Sequence, residues 1–300
     1  VTNPRVTGGI NLAGDCSDSR IVGDVMYLVS SRYAYWSRFD STDNVDKTQI
    51  LSLDVSTPSN VRVIDTKDFP RNGWEHHISV TPKTIYLASS GYNGSTWPNS
   101  YSTTIKYIDI SDPRGNIRVR GQVPIPGMVR DRWSMDEHEG VLRVASGTAW
   151  GNGDVFLTTV GVTNPDALVQ LGQVTMHINE NLTAARFDGT RGYLVTYRNI
   201  DPLWIFDLSD PRNPHVRGEL EMTGWLDFMV PMGDRIVALG HEDVTVNGQR
   251  QISLAVSLID VANLDAPCLL SRVSLDGLWG WVPGERDDFA KVFKVLGEQN

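Results

Sequence analysis

Residues 201–220 read Asp201-Pro202-Leu203-Trp204-Ile205-Phe206-Asp207-Leu208-Ser209-Asp210-Pro211-Arg212-Asn213-Pro214-His215-Val216-Arg217-Gly218-Glu219-Leu220. Leu203–Phe206 is a short apolar run of β-forming residues that stops at Asp207. Ser209–Pro214 follows, where Pro presets φ and Ser, Asp and Asn bond their own backbone, so a turn is dictated. Val216–Leu220 reads as the returning strand, and the stretch as a whole is a hairpin.

The same grammar recurs. It appears at Ile50–Val63 with Asp54 and Pro58, and at Ile105–Val119 with Asp109 and Pro113. Phe156–Val169 keeps Asn164-Pro165 but has Gly161 in place of the Asp, and Leu258–Leu270 has Asp260 and a longer turn to Pro267. The chain opens inside another copy at Val1–Pro4. The turn prolines stand at 4, 58, 113, 165, 211 and 267, 46 to 56 residues apart. A second hairpin precedes each one, with strands such as Val25–Val29, Thr84–Ala88, Val141–Ala145, Gly192–Thr196 and Arg235–Leu239.

Two hairpins per repeat make a four-stranded antiparallel sheet. Without helical patterning, this period predicts an all-β chain, a β-propeller of four-stranded blades. One such sheet cannot cover both its faces, but stacking on its neighbours does. The expected blades are 14–70, 71–127, 128–179, 180–224 and 225–277, with partial blades at 1–13 and 278–300. Residues 1–300 are read as a single propeller domain truncated at both ends, with about five to six blades of roughly seven in the parent protein.

A net charge of −9 argues against nucleic acid as the main partner, because phosphate binding needs a basic footprint. No apolar run is long enough to span a membrane. Cys16 and Cys268 fall at different places in their repeats, so they are read as two buried thiols rather than a disulfide framework.

Asp131–Ser146, Asn181–Leu220 and Ser257–Pro267 resemble the secreted bacterial and archaeal β-propeller proteins, a family distantly related to the tryptophan–aspartate repeat propellers. The resemblance is most specific across residues 128–224. It implies an extracellular or cell-envelope protein, often membrane-anchored in its full length, without established catalytic residues.

Two groups of residues are candidate sites. The first strand of each blade lines the central channel of a propeller, and here those strands are charged: Arg20, Glu75 with His76, Arg130 with Asp131, Arg186, Asp227, and Arg286 with Asp287. They make either a polar funnel for an anion or a cation, or a ring of Arg–carboxylate pairs that holds the blades together. The second group lies in long insertions between strands two and three: Ser31–Thr48, Ser89–Thr104, Gly147–Asp154 and His241–Arg250. These loops gather on one face of a propeller and would bring together Tyr33, Tyr35, Trp36, Tyr92, Trp97, Tyr101 and Trp150. Aromatics among small polar residues are what binding surfaces use, although they can also fill gaps between blades.

Metal chemistry is weaker. Adjacent His76 and His77 point to opposite faces of a strand and cannot easily share an ion with Glu75. Asp40, Asp43, Asn44 and Asp46 share one loop with calcium-type oxygen ligands, but not at the spacing of the twelve-residue calcium loop. Ca2+ is therefore a cofactor to test rather than one to assign. Asp136–Glu139 reads as an exposed acidic turn. No Gly-rich phosphate loop and no nucleophile elbow occur. The leading expectation is a non-catalytic exported scaffold that binds a protein or glycan through its loops. One alternative is an enzyme at the channel mouth, either a calcium-assisted hydrolase or lyase or a quinone-dependent dehydrogenase. Another is a structural subunit of a surface assembly.

Overall fold

The structure, a computed structural model, describes residues 5–12, 14–32, 47–70, 75–92, 94, 101–148, 153–197, 202–246, 249–275 and 293–296. Among these, strand follows strand, with one turn of 3-10 helix at Arg132–Ser134. The first sheet is β1 (Asp15–Val22), β2 (Val25–Arg32), β3 (Lys47–Asp54) and β4 (Arg62–Pro70), paired in that order and antiparallel throughout. The second is β5 (Glu75–Val80), β6 (Thr84–Tyr92), β7 (Tyr101–Asp109) and β8 (Arg118–Pro126). Next come β9 (Met135–His138), β10 (Val141–Gly147), β11 (Gly153–Gly161), β12 (Val169–Asp188), β13 (Arg191–Tyr197), β14 (Leu203–Asp207) and β15 (His215–Leu220). The last sheet is β16 (Trp225–Met232), β17 (Arg235–Val246), β18 (Gln249–Asp260) and β19 (Cys268–Leu275). The four-stranded sheets expected from the repeat are present.

Three local readings change. First, β9 to β15 form one seven-stranded ladder, because the 20-residue β12 ends one sheet and begins the next. It pairs with β11 up to Glu180 and with β13 from Asn181. No Pro or Gly interrupts Gln173–Phe187, and Asn179 takes the bend in the left-handed region at φ 54°. Second, Asp136–His138 is strand rather than turn. The turn is Glu139-Gly140 alone, with φ of 51° and 76°, the primed geometry that fits strand twist. Third, within the expected insertion His241–Arg250, residues 241–246 and 249–250 are strand, since β17 and β18 carry their ladder out to the pair Val246↔Gln249.

The chain divides into two compact units. One comprises Val1–Gly91, Thr104–Val123 and Pro165–Ala167; the other comprises Tyr92–Thr103, Pro124–Asn164 and Leu168–Asn300. In the first, Tyr27, Val29 and Ile50 of one sheet pack with Ile85, Leu87 and Ile108 of the next. In the second, the run that opened the sequence shows the logic. Leu203 and Ile205 pack with Met229, Ile236 and Ile259, while Phe206 faces the other way onto Leu157 and Ala145. Both faces of this sheet are covered, so its inner strands are continuously apolar instead of alternating. Each such side chain contributes roughly 1.5–3 kcal/mol by burial.

The outer strands are different. β19 is exposed along most of its length, and Cys268 is its first residue. Cys16 stands beside a bulge in β1. Both thiols are exposed, which overturns the expectation of burial. Partial desolvation by its neighbours and the nearby Asp18 carboxylate nevertheless push the exposed Cys16 thiol up from its ordinary pKa.

The proline turns are built alike and seated alike. Asp54, Asp109, Asp207 and Asp260 each accept the backbone N–H two residues on, at 2.8–3.0 Å. A β-bulge follows in the pairs β3–β4, β11–β12, β14–β15 and β18–β19 at matching register. Next to the bulge stands a residue that meets the following turn. A Cβ on Gly218 would come within 2.2 Å of the Leu264 carbonyl oxygen, and one on Gly172 within 2.8 Å of the Pro211 carbonyl oxygen. Glycine is needed there because backbone meets backbone. In the first unit, Gly121 donates its N–H to Pro165 O at 2.7 Å.

Charge reinforces these seats. Arg120 grips Asp166 through Nε and Nη2 at 2.7 and 2.6 Å and reaches Asp109 with Nη1 at 3.1 Å. Arg217 does the same to Asp265, at 2.7 Å for both bonds, and to Asp207 at 3.0 Å. The Ser209 hydroxyl, assisted by Arg217, holds the Asp207 carboxyl below its ordinary pKa. The Ser56 hydroxyl and Arg62 hold Asp54 down at about 2.

Candidate functional site

The charged first strands carry several distinct local arrangements. Arg20 is held within its own strand by Asp18 at 3.0 Å and Ser19 O at 2.9 Å. Glu75 opens β5, and His76 Nδ1 lies 2.6 Å from Thr48 Oγ1 of the neighbouring sheet. Arg130 donates to Leu182 O at 2.9 Å. Asp131 is buried and caps the 3-10 turn, where its Oδ1 accepts from Ser134 N and Oγ, both at 2.9 Å. Asp227 is the extra residue of a bulge in β16, a device that re-aims a side chain. Its Oδ2 lies 2.9 Å from His241 Nδ1, and the His241 ring stacks on Trp225 at 4.5 Å. Arg286 and Asp287 lie outside the described residues, as do Tyr33, Tyr35, Trp36, Trp97, Trp150 and the Asp40–Asp46 loop.

Arg186 is the most constrained of these residues. It is 7% exposed. Nε donates to Met229 O at 3.0 Å and Nη1 to Ala185 O at 2.5 Å. Its guanidinium carbon sits 4.4 Å from the ring centres of both Trp133 and Phe228. Such contacts are stronger where water is excluded. The group borders a cavity of about 460 Å³ that is walled by Trp133, Phe187, Phe228, Met229 and the segment Phe293–Leu296.

At the other end of the sheets, where strands two and three are joined, a second cavity of about 470 Å³ opens. Tyr101, Pro124, Pro126 and Phe156 line it, with Ser102, Thr148 and Asp154 as polar groups. Tyr92, the last residue of β6, is 65% exposed and meets Tyr101 edge-to-face at 6.0 Å. Asp154 Oδ1 lies 2.8 Å from His177 Nδ1. The sequence places Tyr92, Tyr101 and the Gly147–Asp154 insertion at this end without singling out Thr148 or Asp154. His177 is brought there by the register of β11 and β12.

Among the described residues, no three His, Cys, Asp or Glu side chains gather as a metal site would. Asp136 is engaged by Arg143, a buried residue that the sequence reading also missed. No described helix is long and apolar enough to cross a membrane.

The family model for the beta propeller domain matches residues 36–294. The chain belongs to that family. Its four-stranded sheets are therefore propeller blades, and the repeated proline turns are the features that join the third and fourth strands of successive blades. The propeller is 32% identical over 245 residues to the uncharacterized protein MJ1554 of Methanocaldococcus jannaschii, across 75% of this chain and 37% of the relative. It is 30% identical over 168 residues to an uncharacterized protein of Archaeoglobus fulgidus, across 55% of this chain and 25% of that one. The chain thus spans between a quarter and two fifths of the length of these curated relatives. Among solved structures, a variant of the Synechocystis apocarotenoid oxygenase matches with a TM-score of 0.48 and 13% identity, over 84% of this chain and 58% of that one. The cobalt-substituted form of that oxygenase gives 0.46 over the same shares.

Proposed function

We propose that this propeller is a non-catalytic, exported binding scaffold that holds a glycan or protein partner through the face where strands two and three are joined. The observation that carries this reading is the exposed Tyr92 set edge-on to Tyr101 at 6.0 Å, with Tyr101 also lining a cavity furnished with Ser102, Thr148 and Asp154. An aromatic platform beside hydroxyl and carboxylate groups suits a sugar ring, whose apolar face stacks while its hydroxyls hydrogen-bond. It also suits an aromatic or proline-rich peptide. Export rests on the resemblance to secreted propellers.

The charged first strands support this reading from the other side. Asp131 caps a turn and Asp227 meets His241, so both acids have structural duties. The test is a glycan array and a peptide array probed with the whole chain, followed by titration calorimetry of the best ligand. Tyr92→Ala and Asp154→Ala should each weaken binding about tenfold, the scale of a hot-spot aromatic or of a charged hydrogen bond, without changing the melt. Ligand affinity untouched by both substitutions would overturn the assignment.

A further inference from the structure

We propose, resting on the glycan reading of the loop face, that the sugar held there carries a free amine. The ligand is then an amino sugar rather than a neutral or an acidic one. The cavity beside Tyr101, about 470 Å³, falls in the range of small-molecule sites. Tyr101, Pro124, Pro126 and Phe156 form its apolar side, and its polar side chains are Ser102, Thr148 and Asp154. None of the residues lining it is basic. An acidic sugar would meet a carboxylate there with no lining cation to offset it.

The polar groups are set in place by the backbone. Thr148 N donates to Asp154 O at 3.0 Å and draws the two residues together where β10 and β11 end. The Thr148 hydroxyl fits there because residue 153 is glycine: a Cβ on Gly153 would lie 1.5 Å from Thr148 Oγ1. Asp154 Oδ1 meets the exposed His177 at 2.8 Å, and Oδ2 takes no bond from any described residue. The surroundings stay acidic beyond the cavity. Glu180 pairs opposite Gly153, and the pair Leu203↔Leu220 brings Glu219 and Glu221 to the same end of the next blade. Burial, together with repulsion from Glu221 and Glu180, pushes the Glu219 carboxyl above its ordinary value. An ammonium brings one positive charge and three donors, so it can meet Asp154 and a neighbouring hydroxyl at once. Such charge-assisted bonds are about twice as strong as neutral ones. The apolar face of the sugar ring remains available to the tyrosines. A lysine side chain offers the same ammonium but no ring of hydroxyls for Ser102 and Thr148, which favours the amino sugar over a basic peptide.

The experiment is titration calorimetry of the whole chain at neutral pH with a β-1,4-linked glucosamine tetramer and, in parallel, with the same tetramer fully N-acetylated, which has no charge. The amine form should bind about tenfold tighter, the scale of a hydrogen bond to a charged group. Added salt should narrow the gap, because it screens the attraction. Asp154→Asn should bring the amine form down to the level of the acetylated one. Ser102→Ala should weaken the amine form several-fold, and it keeps the test usable if Asp154→Asn does not fold. Tetralysine, the third ligand, should bind more weakly than the glucosamine tetramer. Equal affinity for the two tetramers would overturn the amine and leave the glycan reading standing. Binding of neither tetramer would also overturn it, and the arrays would then decide the loop face by themselves. Tetralysine as tight as the amine form, or a preference for the amine that survives both substitutions, would overturn it as well.

Discussion

The proline-turn end of the blades and the opposite end, where strands two and three are joined, follow different rules. At the turn end the same Asp caps recur, a glycine seat is repeated, and an Arg clasp appears at both Arg120 and Arg217. At the other end, one connection is a ladder running out to Val246↔Gln249, another carries the Tyr92–Tyr101 pair, and a third brings Asp154 to His177. Repetition marks what every blade must do to stack on its neighbour. Variation marks positions released from that duty, and these are free to recognise something outside the chain.

Substitutions at each end put this division to the test. Gly218→Val should have the largest effect, about 3 kcal/mol of stability, because its new methyl groups would meet the Leu264 carbonyl and the Pro267 ring. The midpoint of denaturant unfolding measures it, and a loss below about 1 kcal/mol would mean that the turn is not firmly seated. Asp207→Ala comes next, at about 1–2 kcal/mol, since it strips the acceptor from Ser209 N and from Arg217. In a double-mutant cycle the effects of Arg217→Ala and Asp265→Ala should be close to additive, as expected for a solvent-screened pair, and strong coupling would mean that the clasp holds the turn.

Acid should loosen the turn end. The folded carboxyls of Asp54, Asp109 and Asp207 sit below their ordinary values. Their contribution is complete above the unfolded carboxylate pKa of about 4 and is lost as pH falls through the folded values, about 2 for Asp54. Melting followed from pH 6 to pH 2 should show stability falling mainly below pH 4 or so. A flat profile would remove these caps from the account. The smallest expected effect is that of Tyr92→Ala, within about 0.5 kcal/mol of the parent, because a 65% exposed ring contributes little to the fold. A larger loss would make Tyr92 part of the scaffold and erase the distinction between the two ends.

The repeat was legible in the sequence because its signals are local: an apolar run, an Asp and a Pro within about a dozen residues of one another. The tyrosines of the loop face were legible for the same reason. The clasps were not, since Arg217 meets an Asp 48 residues further on, and that meeting depends on a bulge invisible without the partner strand. Arg186 was visible as a charge, but its enclosure by Trp133 and Phe228 draws on three separate segments of the chain. The cysteines misled because thiol burial is a tendency of the residue type, whereas exposure is set by position, and Cys268 starts an outer strand.

The unbroken β12 bears on how such a chain can change. Its 20 residues supply backbone pairing to two blades at once, so the third and fourth blades have no clean seam between them. A deletion or duplication cut at Glu180–Asn181 would leave two raw edges. One cut at the Pro211 turn would spare β12 but divide the β14–β15 hairpin, whose strands pair from Leu203↔Leu220 to Asp207↔His215. Any rearrangement between the third and fourth blades therefore has to rebuild a strand that both of them share.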